Sequence, residues 1–157
     1  MRSKVGTGML AGLFAGVLLS VLMQVMRTTA PDGADTPMLM MVARLINSNS
    51  IAAAWVLNLA ISTILGGVYG AFLGTGTRTY GTALGTGLLY GVAWWVLGGL
   101  IAMPLALGDP MFSPVTTDTM RTTAVGSLAG NAAFGVVLGL LYVALHKGGA
   151  KAAVRPA

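Results

Sequence analysis

Four stretches of this chain carry no charge over lengths that a water-soluble fold rarely tolerates. Residues 5–26 are uncharged across 22 positions, 45–77 across 33, 79–108 across 30 and 122–145 across 24. A helix needs about 20 apolar residues to cross the hydrocarbon core of a bilayer, so each run holds one span. The expected helices cover 6–27, 51–74, 81–105 and 121–146. A transmembrane β-barrel would show strands of about ten residues with alternating polarity, and these runs do not alternate. Composition agrees: 55% of residues are hydrophobic and 8% charged, where a soluble domain carries about 25% charged residues.

The expected fold is therefore an all-α integral membrane protein, a single transmembrane domain over 1–157 with a tail at 148–157. Arg2 and Lys4 precede the first apolar run as they would in a signal peptide. That run is too long for a signal core, and no small-residue cleavage pattern follows it, so it reads as a retained span. Lys and Arg are biased toward cytoplasmic loops. Arg2, Lys4, Arg78, Lys147, Lys151 and Arg155 fall on one side, and Arg27, Arg44 and Arg121 on the other with all four aspartates. Both termini are expected in the cytoplasm of a bacterial inner-membrane protein. The loops 28–50 and 108–120 would then face outward.

The two halves resemble each other. Gly6-Thr7, Gly12-Leu13 and Gly16-Val17 recur as Gly81-Thr82, Gly87-Leu88 and Gly91-Val92, at an offset of 75. Asn58, Ala60, Leu65, Gly66 and Tyr69 recur as Asn131, Ala133, Leu138, Gly139 and Tyr142, at an offset of 73. Pro37-Met38 recurs as Pro110-Met111. A two-span hairpin used twice, over about 5–76 and 80–147, enters from the same side both times. Such repeats are parallel, related by an axis along the membrane normal.

Small residues four apart allow close approach of two helix backbones in lipid. Every span carries such a pair or run: Gly8, Gly12 and Gly16; Gly66, Gly70 and Gly74; Gly87 and Gly91; Gly126 and Gly130; Gly135 and Gly139. These are the expected helix-packing residues. Gln24, Asn58 and Asn131 are the expected polar groups inside the membrane, suited to a hydrogen bond between helices or to a ligand's polar group. Trp55, Tyr80 and Tyr142 read as anchors at the membrane interface. Trp94 and Trp95 lie mid-span and point about 100° apart, so at least one is expected to leave the bundle. They are the candidate contacts for lipid, quinone, pigment or a partner subunit. Pro104 should end or kink its helix. Asp35-Thr36-Pro37 reads as a helix start, leading to a short interfacial helix at 38–46 in the first outer loop, rich in methionine.

Several chemistries lack their residues. Cysteine is absent, which removes disulfides and thiol catalysis, and the one histidine, His146, cannot form a multi-histidine metal or haem site. No Asp, Glu, Lys or Arg is expected mid-membrane, where ion-coupled transporters and proton pumps place them. No catalytic residue, metal site or cofactor held by side-chain ligands is expected. The basic residues lie at chain ends and in loops, which argues for membrane topology and against nucleic acid.

Ala54-Trp55-Val56-Leu57-Asn58 with the following glycines, Tyr90-Gly91-Val92-Ala93-Trp94-Trp95 through Met103-Pro104-Leu105, and the stretch from Asn131 to Tyr142 resemble a group of small four-span bacterial inner-membrane proteins of unknown function, the YagU-like proteins. The resemblance implies the fold and the membrane location. It also implies histidines where Asn58 and Asn131 stand here, which puts any metal or haem role of those histidines in doubt for this chain.

Two functions compete at this stage. One is a non-catalytic accessory subunit, packed by its glycine faces against lipids and other subunits of a larger complex, respiratory or photosynthetic. The other is a homo-oligomeric transporter or channel for a small neutral solute.

Overall fold

The computed structural model describes residues 3–29 and 33–153. Four of its helical segments are long and apolar enough to cross a membrane: Lys4–Val25, Ile51–Phe72, Tyr80–Leu107 and Arg121–Lys147. They belong to α1 (Lys4–Val25), α3 (Ile51–Phe72), the continuous run of α4 (Tyr80–Trp94) with its extension, and α7 (Arg121–Ala153). Hydroxyl caps set three of the starts. Ser3 accepts from Gly6 N and Ser50 from Ala53 N, while Thr79 and Thr82 form a reciprocal capping box. The final helix runs to Ala153, so the expected tail at 148–157 is helical over its first part, and 154–157 lie outside the described residues.

Helix α1 packs on α3 and on α7, and α4 packs on α7. In the α1–α3 pair the backbones nearly touch. A Cβ on Gly8 would collide with the Gly66 carbonyl, one on Gly12 with the Ser62 carbonyl, and one on Gly70 with the Lys4 carbonyl. The α4–α7 pair is alike: Gly87 faces the Gly135 carbonyl and Gly91 the Asn131 carbonyl. Larger side chains fill the centre. Ala11, Ala15 and Leu19 of α1 meet Tyr69 of α3 and Phe134, Leu138 and Tyr142 of α7.

The first connection departs from expectation. Asp35–Pro37 is not a helix start but strand β2, paired antiparallel with β1 (Arg27–Thr29), with Arg27 opposite Pro37. The Arg27 guanidinium donates to an Asp35 carboxylate oxygen at 3.0 Å and to the Asp35 carbonyl, which holds the aspartate in the ladder and away from a capping role. Helix α2 follows at Met40–Arg44, shorter than the expected 38–46. It is tucked against α3, with Leu39, Val42 and Ala43 buried beside Ala54. Its approach satisfies the open end of α1, since Met38 N donates to Met26 O and Leu39 N to Met23 O.

Pro104 neither ends the third span nor stands alone in bending it. Between α4 and α5 (Met103–Leu107) the helix widens into a π segment at Trp95–Ala102, where Met103 N reaches back to Gly98 O. A proline ring crowds the carbonyl four residues earlier and offers it no N–H. That carbonyl, on Leu100, accepts instead from Phe112 N at 2.7 Å. The span ends at Gly108, whose φ of 86° closes the helix in the left-handed region that glycine tolerates. A short α6 (Ser113–Thr116) and a 3₁₀ turn (Asp118–Met120) lead into α7.

Candidate functional site

Because α1 and α7 form the centre and α3 and α4 flank it, α3 and α4 form no packed pair along their length. They meet where the Tyr90 hydroxyl donates to the Leu65 carbonyl and the Tyr69 and Tyr90 rings sit edge to face, 5.2 Å apart. Toward α2 a cleft of about 380 Å³ opens between them. That volume falls in the range of small-molecule sites, about 300–1,000 Å³.

Asn58, Ser62 and Leu65 of α3 form one wall of the cleft, and Trp94, Gly98, Gly99 and Ala102 the other. Leu19 and Met23 of α1 and Ser127, Asn131 and Phe134 of α7 complete it, and Met38, Met41, Val42 and Leu45 lie across its loop end. Among the described residues no ionisable side chain lines it, and no group of three His, Cys, Asp or Glu side chains gathers anywhere.

Its amide groups, Asn58 and Asn131, are bonded differently. Asn58 is buried and donates from Nδ2 to Ser20 Oγ at 2.8 Å, across to α1. Asn131 donates to the Ser127 carbonyl at 2.9 Å within its own helix. They do not bond each other, and among the described residues neither amide oxygen accepts a protein hydrogen bond. Both oxygens are thus left as acceptors. Gln24 is not part of this site. It is exposed on α1, and its side-chain oxygen accepts from the Trp55 indole at 2.6 Å.

Trp94 and Trp95 both turn inward, contrary to the expectation that one leaves the bundle. Trp94 lines the cleft with its ring edge-on to Tyr90, 6.1 Å away. Trp95 donates its indole N–H to Ser127 Oγ at 2.9 Å. Tyr142 is likewise not an interfacial anchor. It is fully buried, with its hydroxyl against Gly74, whereas Tyr80 is exposed. The sequence reading missed Ser20, Ser62 and Ser127; serine is common enough in membrane helices that only the fold singles them out.

At its loop end the cleft adjoins a wider vestibule of about 650 Å³. The two share Met41, Gly99, Met103, Pro114 and Thr123. Thr28, Thr29, Arg44, Asp109 and Ser113 give the vestibule a polar wall. At the opposite end Phe134, Tyr69, Tyr90 and Tyr142 close the bundle. The Tyr69 hydroxyl there bonds Thr77 at 3.2 Å and Thr86 at 2.8 Å.

The fold and cleft define a multi-pass α-helical membrane protein with a neutral cavity between its helices. No known family, curated protein or solved structure matches the chain.

Proposed function

We propose that the protein works by binding and not by chemistry: it admits a small neutral solute into the cleft between α3 and α4. The observation that carries this reading is an uncharged cleft holding Asn58 and Asn131 that shares five wall residues with an outer vestibule. The two free amide oxygens suit a molecule with an apolar body and a hydroxyl or N–H group. Passage across the membrane requires the aromatic seal to open. With both termini cytoplasmic, as the Lys and Arg bias indicates, the vestibule opens outward.

Matched contacts support the parallel repeat. Gly12 on Ser62 corresponds to Gly87 on Gly135, and Gly8 on Gly66 to Ala83 on Gly139, at the offsets of 75 and 73. The role of accessory subunit draws on the outer faces, where Val56, Ile64, Phe72 and Leu89 are exposed. Lipid tails suit those faces equally well. The glycines that suggested close contact with other subunits meet other parts of the same chain. That balance favours the solute reading. Kinship with the YagU-like proteins rests on the sequence motifs and accords with four spans.

The test is saturable flux of small neutral alcohols and amides into liposomes holding the purified protein. Wild type should conduct or bind at least one of them, and Gly98→Leu should abolish it. A protein inert toward all of them, yet recovered from native membranes in a defined stoichiometric complex, restores the subunit reading.

A further inference from the structure

A second cavity, of about 300 Å³, lies at the end of the bundle that carries the chain termini. Its wall brings together Lys4 of α1, Arg78 of the α3–α4 loop, and His146 and Lys147 of α7. No carboxylate lines it, and the described aspartates sit in the loops at the far end, where Asp35 pairs with Arg27 and Asp118 with Arg121. Among the described residues Lys4, Arg78 and Lys147 form no salt bridge. Their present partners are neutral: Lys4 donates to Thr75 Oγ1 at 3.0 Å, Arg78 Nε to the Thr75 carbonyl at 3.0 Å, and Lys147 lies 4.8 Å over the Tyr80 ring. Three fixed cations on one concave surface repel one another and concentrate anions there.

Behind the Gly74 side of the wall lies Tyr142, fully buried, with its hydroxyl beside Gly74. That hydroxyl has no surface on the cavity, where the cations face whatever enters. His146, stacked on the Tyr142 ring at 6.0 Å, borders the same wall.

We propose that this cavity is a phosphate-binding site, in which Lys4, Arg78 and Lys147 hold the anion. Basic pockets between membrane helices hold lipid head groups in this way, and a free phosphate offers the same chemistry. The test uses the full chain in detergent, with two probes. One is inorganic phosphate against chloride at equal ionic strength, read as a shift in melting temperature. The other is phosphatidylglycerol against phosphatidylcholine, read as lipid retained in native mass spectrometry. At least one anionic probe should bind above its control, and which one does so identifies the source. Arg78→Gln and Lys147→Gln should each weaken binding about fivefold, and Arg121→Gln at the other end should not. The proposal is overturned if neither anion exceeds its control. It is equally overturned if Arg121→Gln weakens binding as much as Arg78→Gln, since the positive charge would then act only as a diffuse field.

Discussion

Asn58 Nδ2 stands 2.8 Å from Ser20 Oγ, so a buried amide on α3 is tied to a buried hydroxyl on α1. The bond joins the two helices whose glycine backbones already touch, and it orients the amide oxygen away from Ser20.

This pair should couple energetically. Hydrogen bonds between membrane helices average about 0.6 kcal/mol, with an upper value near 1.7. A double-mutant cycle of Asn58→Leu and Ser20→Ala, measured by unfolding in mixed micelles, should return a coupling in that range. A coupling of zero would mean that the bond does not hold α3 on α1.

Glycine substitutions should separate by position and not by residue type. Gly66→Ala places a Cβ against the Gly8 carbonyl and the Gly12 backbone, which cannot yield without parting the helices. Overpacking of this kind costs about 1–3 kcal/mol. Gly85 is exposed, and a methyl group placed there would meet nothing within 4 Å. Gly85→Ala should stay within about 0.5 kcal/mol of wild type. Equal losses in the same unfolding assay would refute the close approach of α1 and α3.

The orientation is open to direct measurement. The chain has no cysteine, so single substitutions report cleanly. In intact cells an impermeant maleimide should label Asp109→Cys and leave Arg78→Cys unlabelled until the membrane is opened. The reverse pattern would place the vestibule on the cytoplasmic side.

The spans were legible because bilayer thickness acts on charge and length alone. Helix α3 begins at Ile51 as expected, and α7 at Arg121. Contacts that depend on which way a helix winds were not legible. Trp94 turns to the cleft and Trp95 to Ser127, and neither residue announces those contacts or the π segment that follows. Tyr80 and Tyr142 are the same residue type near the same end of the bundle, yet only Tyr142 finds a pocket, beside Gly74 in the turn after α3. Asp35-Thr36-Pro37 has the composition of a helix start, but Arg27, eight residues earlier, draws Asp35 into a hairpin. The equivalence of Asn58 and Asn131 was visible as a repeat. Their differing partners were not, because Ser20 lies across a helix interface and Ser127 on the same helix.

The cleft itself can be filled from one side. Gly98 lines it, and a Cβ there would meet nothing within 4 Å, so the Gly98→Leu side chain starts in open space. The variant should fold and insert like wild type. Trp94, also in the wall, supplies a reporter, because a solute entering beside the indole changes its emission. In a protein with Trp55 and Trp95 replaced by Phe, binding should appear as a saturable change in Trp94 fluorescence. The Gly98→Leu version of that protein should lose the change and weaken solute binding at least tenfold. Asn131→Leu should weaken binding less, because Asn58 still offers an acceptor. A saturable Trp94 response that persists in full with Gly98→Leu would locate the solute elsewhere and remove the cleft from the mechanism.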